Sequence, residues 1–492
     1  MNIAEVFAAH AESRPGDAAV EDGERIVTYA ELAAMAGSAA NYLQQEGIAP
    51  GDIVGLALPD SVEHVALFWP LAQIGAVVFP INAPLLRCEA EVGLGRNQLK
   101  AVIIAHAAPA LPSETRVIQL AAIFADHLKT RPPAAAPGGH APLCCIQSSG
   151  TTGKPKTFLM SHNQLIASFQ SREEFLRWTA EDRYAAFIRP SFSAGCRLCF
   201  AALFAGATVI FMTSNSVGEL VRLVQDKRVT VTSLTPLHLR PLLKYAADKE
   251  LLFPQLRSLR VVTAGVTADE RDLARQHVTP NVIIVYGSNE QAWITAAPPA
   301  DQDAYPDSVG RPVAGVEVEI VGQDNQPLPF GSVGRIRMRS DHIATGYLNN
   351  PEADARAFRD GWFYPMDLAA INQDGYIFLK GRADDLISVD GIKFYPVETE
   401  AVLLRHPAVR DAAVFGWPHP LHDQVTVAAV TTDAPVTRQR IKAFCVRHLA
   451  PYKVPRTIML LDEMPRTTTG KILKRRLKER LRRKIAEHGE KS

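Results

Sequence analysis

The first 290 residues alternate between two hydrophobic periods. Segments with apolar residues every three or four positions are separated by short, almost wholly apolar segments, such as DIVGLALP (52–59) and NVIIVYG (281–287). Short apolar strands that alternate with helices are typical of mostly parallel sheets whose two faces are both covered. The pattern therefore predicts an α/β architecture for this part of the chain.

Polar residues mark where two of the predicted helices begin. Thr28 followed by Glu31 is a capping-box signature, and the helical period runs from there to about Gly47. Asp60 with Glu63 predicts the start of a second helix. We therefore expect the apolar stretch 65–81, which contains two prolines and a glutamine, to be a buried helix followed by a strand rather than a membrane span.

The pattern changes after residue 305. Residues 315–340 alternate with period two on both sides of a polar QDNQ turn, as in an antiparallel hairpin. Beyond GRADD (381–385), helix-like and strand-like segments follow in a stretch long enough for a small domain. We predict an α/β protein with a large N-terminal domain (1–383) of mixed, mostly parallel sheets, helices and a β-barrel-like subdomain, and a small α+β C-terminal domain (384–492).

Composition narrows the functional classes. The 492 residues include 53 Lys and Arg against 52 Asp and Glu, a net charge of +1, so nothing predicts a surface for nucleic acid. The six cysteines are scattered, which argues against a disulfide framework or a zinc site. The N-terminus lacks the pattern of a signal peptide. We expect a cytoplasmic protein that is a monomer or a homodimer.

One short loop carries candidate chemistry. QSSGTTGKPKT (147–157) combines hydroxyls, glycines and lysines, which suit phosphate oxygens because glycine lets backbone N–H groups approach and lysine supplies charge. The spacing does not match a Walker A loop, which requires four residues between its glycines. Taken alone, the loop is either a phosphate-binding loop or a polar turn.

Four later motifs stand in a fixed order after this loop. They are VYGSNE (285–290), GWFYPMDLA (361–369), GRADDLISVDGIKFYPVETE (381–400) and PRTTTGKILKRRL (465–477). Together with the loop they resemble the motifs of the adenylate-forming superfamily, which includes acyl-CoA synthetases, nonribosomal-peptide adenylation domains and luciferases; the pattern is most similar to the acyl-CoA ligases. The resemblance covers nearly the whole chain.

The resemblance implies a reaction in two steps. A carboxylic acid attacks the α-phosphorus of ATP and releases pyrophosphate, and a thiol then displaces AMP from the acyl-adenylate. The implied cofactors are ATP, Mg²⁺ and coenzyme A, or the phosphopantetheine of a separate carrier protein. The small C-terminal domain would act as a lid that rotates between the two steps. A nucleotide-binding protein without turnover is a further alternative.

The resemblance also implies roles for single residues. Glu290 would coordinate Mg²⁺, Asn289 would donate to a phosphate or carboxylate oxygen, and Lys471 would bridge the carboxylate and the α-phosphate. The nucleotide would be held by Ser148, Ser149, Gly150, Thr151, Thr152, Gly153, Lys154, Lys156, Tyr286, Gly287, Asp367 and Arg382, with Tyr286 on the adenine and Asp367 on the ribose. Each of these side chains could instead have a purely structural task, such as a helix cap, a core aromatic or half of a surface ion pair.

The resemblance assigns the rotation of the C-terminal domain and the selection of the acid to other positions. Asp384 would be the hinge, and Gly391 would lie where the pantetheine arm passes. The acyl pocket would be bordered by Phe192, Gly195, Ala264 and Gly265, and the absence of an aspartate near Phe192 favours an acid without an α-ammonium group. Arg189 and Arg197 could pair with a second polar group on the acid, or could face solvent.

Three positions depart from the pattern of the family. Thr157 stands where the family usually has glycine, and Asn289 stands in place of threonine. Pro365-Met366 replaces Thr-Gly before Asp367. The amide of Asn289 can still donate, whereas Pro365-Met366 stiffens a segment and removes a hydroxyl next to the nucleotide.

Overall fold

The computed structural model describes residues 1–81, 99–105, 115–125, 137–148, 156–212, 216–262, 265–467 and 470–489. The strands of the first half are β1 (Ala18–Asp22), β2 (Arg25–Thr28), β3 (Ile53–Ala57), β4 (Val77–Pro80), β5 (Ala101–Ile104), β6 (Arg116–Gln119), β7 (Pro142–Ser148), β8 (Lys156–Ser161), β9 (Arg183–Ala185), β10 (Thr208–Phe211), β11 (Val231–Leu234) and β12 (Ser258–Val261). Those of the second half are β13 (Val282–Ser288), β14 (Ala292–Ala297), β15 (Arg311–Pro312), β16 (Glu317–Val321), β17 (Gly334–Arg339), β18 (Phe358–Arg359), β19 (Trp362–Phe363), β20 (Asp367–Ile371), β21 (Ile377–Arg382), β22 (Ile387–Val389), β23 (Ile392–Phe394), β24 (Val409–His419), β25 (Asp423–Thr432) and β26 (Thr457–Leu460).

Helices connect most of these strands. Those before residue 230 are α1 (Ile3–Ser13), α2 (Tyr29–Gln45), α3 (Val62–Ala66), α4 (Phe68–Ile74), α5 (Leu120–Ile123), α6 (His162–Gln170), α7 (Glu173–Leu176), α8 (Ser193–Phe204) and α9 (Val217–Asp226). The later ones are α10 (Pro236–Ala246), α11 (Ala268–His277), α12 (Pro299–Ala304), α13 (Pro351–Ala357), α14 (Pro396–Leu404), α15 (Arg438–His448) and α16 (Lys474–Gly489).

Two mostly parallel sheets fill the first 300 residues. The first runs in the order β15–β14–β13–β12–β11–β9–β10–β1–β2, with parallel pairing from β13 to β1 and antiparallel strands at its edges. The second runs β6–β5–β3–β4–β7–β8 and is parallel except for the final hairpin. Strands such as β4, β5 and β10 are buried at every position, which explains their unbroken apolar sequences. The predicted α/β class is correct.

The remaining strands form two further sheets. One is antiparallel, in the order β18–β19–β17–β20–β21 with β16 beside β17, and it contains the hairpin predicted after residue 305. The other runs β23–β22–β25–β24 with β26 beside β25, and it uses only strands after residue 386. It has a core of its own, packed with α14 and α15. The division at residue 384 stays a prediction.

The structure confirms one predicted helix start and corrects the other. Thr28 caps α2 in a full capping box with Glu31. The second start was predicted at Asp60, but Ser61 is the residue whose side chain accepts from the His64 amide and caps α3. Asp60 instead forms an ion pair with Arg189, with Nε and Oδ2 3.3 Å apart. A serine and an aspartate cap helices about equally well, so the sequence did not distinguish them.

Two expectations about composition can be compared with the described residues. No described helix is both long enough and apolar enough to cross a bilayer. The described cysteines are free and buried, including Cys196 and Cys199, whose C-x-x-C spacing lies within α8. No group of three His, Cys, Asp or Glu side chains in the described ranges could hold a metal ion by itself.

Candidate active site

The predicted phosphate loop connects two antiparallel strands. Ser148 at the end of β7 pairs with Lys156 at the start of β8, at the edge of the second sheet. Within that loop, the predicted residues Ser149, Gly150, Thr151, Thr152, Gly153 and Lys154 lie outside the described residues, as does Ala264 of the predicted acyl pocket.

Tyr347 contacts both Lys156 and Glu290. The Lys156 ammonium is 4.9 Å from the centroid of the Tyr347 ring, and the Tyr347 hydroxyl donates to Glu290 Oε1 at 2.9 Å. Burial and the adjacent carboxylate hold the pKa of Tyr347 well above its usual range, so its proton stays in place as a donor. Tyr347 was not predicted, because no period or motif that we used marks it.

Glu290 is a nearly buried carboxylate at the end of the β13–β14 hairpin. Its side chain is enclosed, with the residue 7% exposed, and its carbonyl accepts from the Ala344 amide at 2.8 Å. The neighbouring Asn289 donates through Nδ2 to the carbonyl of Gln147 at 3.4 Å, directly before the loop. The hairpin therefore holds the predicted metal ligand beside the predicted phosphate loop.

The backbone before Glu290 is kept in place by a glycine. The pairing of β13 with β14 shifts between Tyr286 and Gly287. A Cβ on Gly287 would lie 2.1 Å from the carbonyl oxygen of Ala292, so no side chain fits there. This close approach explains why residue 287 is a glycine without any reference to a nucleotide.

Tyr286, Asp367 and Arg382 form a hydrogen-bonded group. The Tyr286 hydroxyl donates to Asp367 Oδ2 at 2.7 Å, and Arg382 Nη1 lies 3.3 Å from Asp367 Oδ1. Asp367 and Arg382 face each other across β20 and β21. Burial raises the pKa of Asp367, while the Arg382 charge and the Tyr286 hydrogen bond act against that rise. The group is a partly buried carboxylate with oriented donors on both sides, which suits recognition of hydroxyl groups.

Lys471 approaches the same group from the C-terminal part of the chain. Its amide donates to Thr467 Oγ1 at 3.1 Å, and the Thr467 amide donates to the Lys471 carbonyl at 2.7 Å, which closes the turn that presents it. Desolvation and the Arg382 charge lower the pKa of its ammonium, and the nearby Asp367 opposes them. Residues 286, 367, 382 and 471, predicted from separate motifs, are thus brought together.

The predicted hinge lies between the third and fourth sheets. Asp384 stands in a short 3₁₀ helix (Ala383–Asp385), where its carboxylate accepts from Arg382 Nε at 2.9 Å. Gly391 is the second residue of a tight Asp390-Gly391 turn between β22 and β23, and both residues have positive φ, +51° and +78°. A two-residue hairpin turn of this type requires left-handed backbone at both positions. The backbone conformation therefore favours glycine at position 391, independently of its predicted place in a thiol channel.

The start of α8 is the described part of the predicted acyl pocket. Phe192 is half-buried at its N-cap, while Gly265 is exposed and has open space where a Cβ would stand. Gly195 is enclosed, because a Cβ there would lie 2.0 Å from the carbonyl oxygen of Arg189. The Ser193 hydroxyl donates to the Gln147 carbonyl at 3.3 Å and so connects the helix to the loop strand.

The two arginines near this helix differ. The side chain of Arg189 is 44% exposed and pairs with Asp60, whereas Arg197 is 5% exposed and donates through Nη1 to the Asn289 carbonyl at 2.8 Å. Arg197 therefore does not face solvent. Burial lowers the pKa of its guanidinium, and the charge of Glu290 partly restores it.

This fold and arrangement of charges define a class of enzyme. The adenylate-forming enzymes share these features: mixed sheets, a buried glutamate beside the strand that leads into a glycine-rich loop, and a lysine of the C-terminal part near a partly buried aspartate. The chain belongs to the AMP-binding enzyme family: residues 7–348 match the model of the AMP-binding enzyme and residues 398–471 match that of its C-terminal domain. At the level of this family it is an AMP-forming acid–thiol ligase, closest to the acyl-CoA ligases.

Individual relatives agree with this assignment. The chain is 30% identical to the long-chain-fatty-acid–CoA ligase FadD13 of Mycobacterium tuberculosis over 472 residues, which cover 92% of this chain and 93% of that protein. It is also 30% identical to a feruloyl-CoA synthase of Amycolatopsis, over 96% of this chain and 97% of the relative. Among solved structures, ATP-bound MatB from Rhodopseudomonas palustris superposes with a TM-score of 0.87 at 26% identity, over 97% of this chain and 99% of that chain.

Proposed function

We propose that this chain converts a carboxylic acid, ATP and coenzyme A into an acyl-CoA, AMP and pyrophosphate. The observation that carries the proposal is that Lys471, in the C-terminal turn, is near enough to Asp367 and Arg382 for their charges to act on the pKa of its ammonium. An ammonium at this point can contact a carboxylate and an α-phosphate at the same time. Membership of the family and the names of the relatives support the reaction class.

The first step must overcome repulsion between an anionic acid and an anionic phosphate. The acid oxygen forms a bond to the α-phosphorus while the bond to pyrophosphate breaks, so negative charge passes to the leaving group. Lys471 and the loop lysines offset that charge, and aimed donors such as the Asn289 amide orient the oxygens. Asp367, fixed by Tyr286 and Arg382, accepts from the ribose hydroxyls and holds the nucleotide while this happens.

The residues present fit a magnesium ion that is bound mainly by phosphate. Mg²⁺ in nucleotide sites is usually held by one or two carboxylates together with phosphate oxygens and waters. Glu290 is a lone, nearly buried carboxylate oriented by Tyr347 and standing beside the loop strand. It would hold the ion, whose charge would lower the cost of bringing the acid to the phosphate.

The second step requires room for a thiol. Sulfur attacks the acyl carbonyl, and AMP leaves with the pair of electrons of the acyl–oxygen bond. We assign the hinge to Asp384 and the passage of the pantetheine arm to Gly391, which lies in open space. Coenzyme A is the proposed acceptor because FadD13 and the feruloyl synthase are named as CoA enzymes. These two names refer to very different acids, so they do not select one for this chain.

The test is pyrophosphate release from ATP and Mg²⁺ across a panel of aliphatic, aromatic and dicarboxylic acids, with and without coenzyme A. We expect release with at least one acid, formation of its CoA thioester, and loss of about 1000-fold in rate for Lys471→Ala. Lys442→Ala, on the exposed face of α15, is the matched control and should retain full activity.

Each result separates one alternative. Pyrophosphate release without formation of a CoA thioester would indicate that the acceptor is a carrier protein and not coenzyme A. ATP binding with no release for any acid would overturn the ligase proposal and favour a nucleotide-binding protein without turnover.

A further inference from the structure

Three arginines are buried in the N-terminal part of the chain. Arg172 follows α6, Arg197 lies in α8 and Arg260 lies in β12, and they are 3%, 5% and 0% exposed. Arginine is almost never fully buried unless an acid pairs with it. Across the described ranges, none of the three has a carboxylate within 4 Å, although 26 other ion pairs are formed there.

Their observed partners are neutral. Arg172 donates to the carbonyl and hydroxyl of Ser168 at 2.6 and 3.1 Å and lies over the ring of Trp293. Arg197 donates to the Asn289 carbonyl. These contacts satisfy some N–H groups, but none of them supplies the negative charge that a buried cation requires.

Arg260 is the least satisfied of the three. Its Nε lies 3.3 Å from the Thr232 carbonyl, while Nη1 and Nη2 have no hydrogen-bond partner among the residues that the structure describes. Its guanidinium is 5.4 and 5.6 Å from the ring centroids of Trp178 and Tyr184. The acid that acts on it, Asp182, is already bound by Arg257 at 2.5 Å.

The three charges are close enough to act on one another. Burial, together with the charges of Arg197 and Arg260, lowers the pKa of Arg172 to about 9. Burial lowers the pKa of Arg260 to about 10. Both values lie above neutral pH, so the guanidinium groups stay charged. The neighbouring His342 has a pKa of about 4 and is neutral, which keeps a further cation out of the region.

Arg197 connects this cluster to the reaction site. It lies one helical turn after Ser193, on the same face of α8, and both residues contact the Gln147–Asn289 junction. The charge of Glu290 acts on Arg197 without direct contact, and an apolar acyl chain that entered beside α8 would add no anion to the cluster. An anionic group on the acid would offset them and gain charge-assisted hydrogen bonds.

From this geometry we propose that the acid carries a second anionic group, such as a second carboxylate, which Arg197 binds, with Arg172 and Arg260 contributing positive charge. The inference rests on the proposed ligase function and names its substrate class. Arg197 is then a specificity-determining residue, and Arg189, which is exposed and already paired with Asp60, is not.

The test compares acids of matched length that differ only at the far end. Pyrophosphate release is measured for glutarate against its monomethyl ester and pentanoate, and for phthalate, isophthalate and terephthalate against benzoate. We expect kcat/KM for the preferred diacid to exceed that of its matched monoacid at least 100-fold. Arg197→Met should abolish most of this preference in kcat/KM for the diacid. Arg197→Lys should retain part of the preference, and Arg189→Met should leave it unchanged.

The outcomes are distinguishable from those that test the function itself. A preferred monoacid, with release intact, would overturn the inference and leave the ligase in place. An increase in the KM for ATP with Arg197→Met, equal for every acid, would assign Arg197 to the nucleotide phosphates and also overturn it. If none of the acids gave pyrophosphate release, both the proposed function and the inference would be overturned. Far-ultraviolet circular dichroism of each variant shows that it is folded.

Discussion

Arg240 in α10 and Asp411 in β24 face each other where the two parts of the chain meet, with Nη1 and Oδ1 3.4 Å apart. The same carboxylate oxygen accepts from Arg466 Nη2 at 2.5 Å. Arg466 Nη1 in turn donates at 2.6 Å to the carbonyl of Gly470, the residue directly before Lys471. A continuous series of contacts therefore runs from the N-terminal part to the turn that presents the proposed catalytic lysine.

Breaking this series should affect one half-reaction. Arg240→Gln removes the charge that faces Asp411 but leaves the Asp411–Arg466 pair inside the C-terminal part. We expect adenylate formation to slow about fivefold, the equivalent of about 1 kcal/mol for a partly buried pair. Thioester formation from preformed acyl-adenylate should not slow, because the proposed rotation about Asp384 would separate Asp411 from Arg240 before that step. Single-turnover kinetics of each step would measure the difference.

The control is another ion pair at the same junction. Lys244 pairs with Asp433, and their side chains are 65% and 36% exposed. Lys244→Gln should change either step less than twofold, because exposed pairs contribute little. Equal slowing of both steps by Arg240→Gln would contradict a role limited to positioning Lys471.

Met366 occupies backbone space that normally favours glycine. Its φ is +68°, in the left-handed region, and it stands where the family usually has the glycine of Thr-Gly-Asp. Its carbonyl accepts from the Ala383 amide at 2.9 Å, which holds this conformation beside Asp367. The replacement of the family's usual glycine by Met366 therefore places about 1 kcal/mol of backbone strain at this position.

The strain can be measured by comparing two small residues at this position. Met366→Gly should give a free energy of unfolding about 1 kcal/mol higher than Met366→Ala, because alanine retains the left-handed penalty and glycine does not. At an ordinary position the order is reversed. Urea denaturation of the two variants gives the difference, and an alanine variant as stable as the glycine variant would show that no strain is stored here.

The sequence predicted the elements better than the contacts between them. Buried parallel strands and amphipathic helices have local periods, so the sheets of the first half and the hairpin after residue 305 were predictable. Tyr347 and Asp411 act through partners far away in sequence, 57 residues in one case and 171 in the other. Solvent exposure was equally hard to predict, because it also depends on distant residues. The sequence left open whether Arg189 and Arg197 face solvent, and only the packing in the structure shows that Arg189 is exposed and Arg197 is buried.

Gly195 tests how closely α8 must approach the preceding loop. A Cβ at this position would meet two backbone carbonyl oxygens, of Arg189 at 2.0 Å and Ile188 at 2.3 Å, and neither belongs to a flexible side chain. We expect Gly195→Ala to lower the free energy of unfolding by about 3 kcal/mol, measured by urea denaturation. It should also reduce the rate of adenylate formation, because the start of α8 contacts the loop strand.

A glycine in the next helix provides the matched control. Among the residues described by the structure, none comes within 4 Å of the Cβ position of Gly218 in α9. Gly218→Ala should therefore raise the free energy of unfolding by about 1 kcal/mol through helix propensity. If Gly195→Ala were as stable as the wild type, α8 would have to be able to shift away from the loop at little cost.

His64 makes stability depend on pH in a defined direction. Its ring is fully buried, with Nδ1 3.2 Å from the Pro59 carbonyl and no partner for Nε2 within the described part of the chain. The ring is therefore neutral, with the proton on Nδ1. Burial lowers its pKa from 6.5 to about 4. Below pH 6.5 the unfolded chain binds a proton that the folded chain does not, so stability falls as the pH falls from 6.5 towards 4.

His64→Asn should remove this dependence while keeping an N–H donor near the Pro59 carbonyl. Between pH 8 and pH 5 the wild type should lose about 2 kcal/mol more than the variant in free energy of unfolding by urea. His162 and His342, whose pKa values burial also lowers to about 4, act in the same direction in both proteins. Asp60, whose pKa burial raises to about 6, acts against them in both. At pH 8 the His64 ring is neutral in both states, so the difference there reports packing alone; parallel pH profiles for the two proteins would show that His64 is protonated in the folded chain.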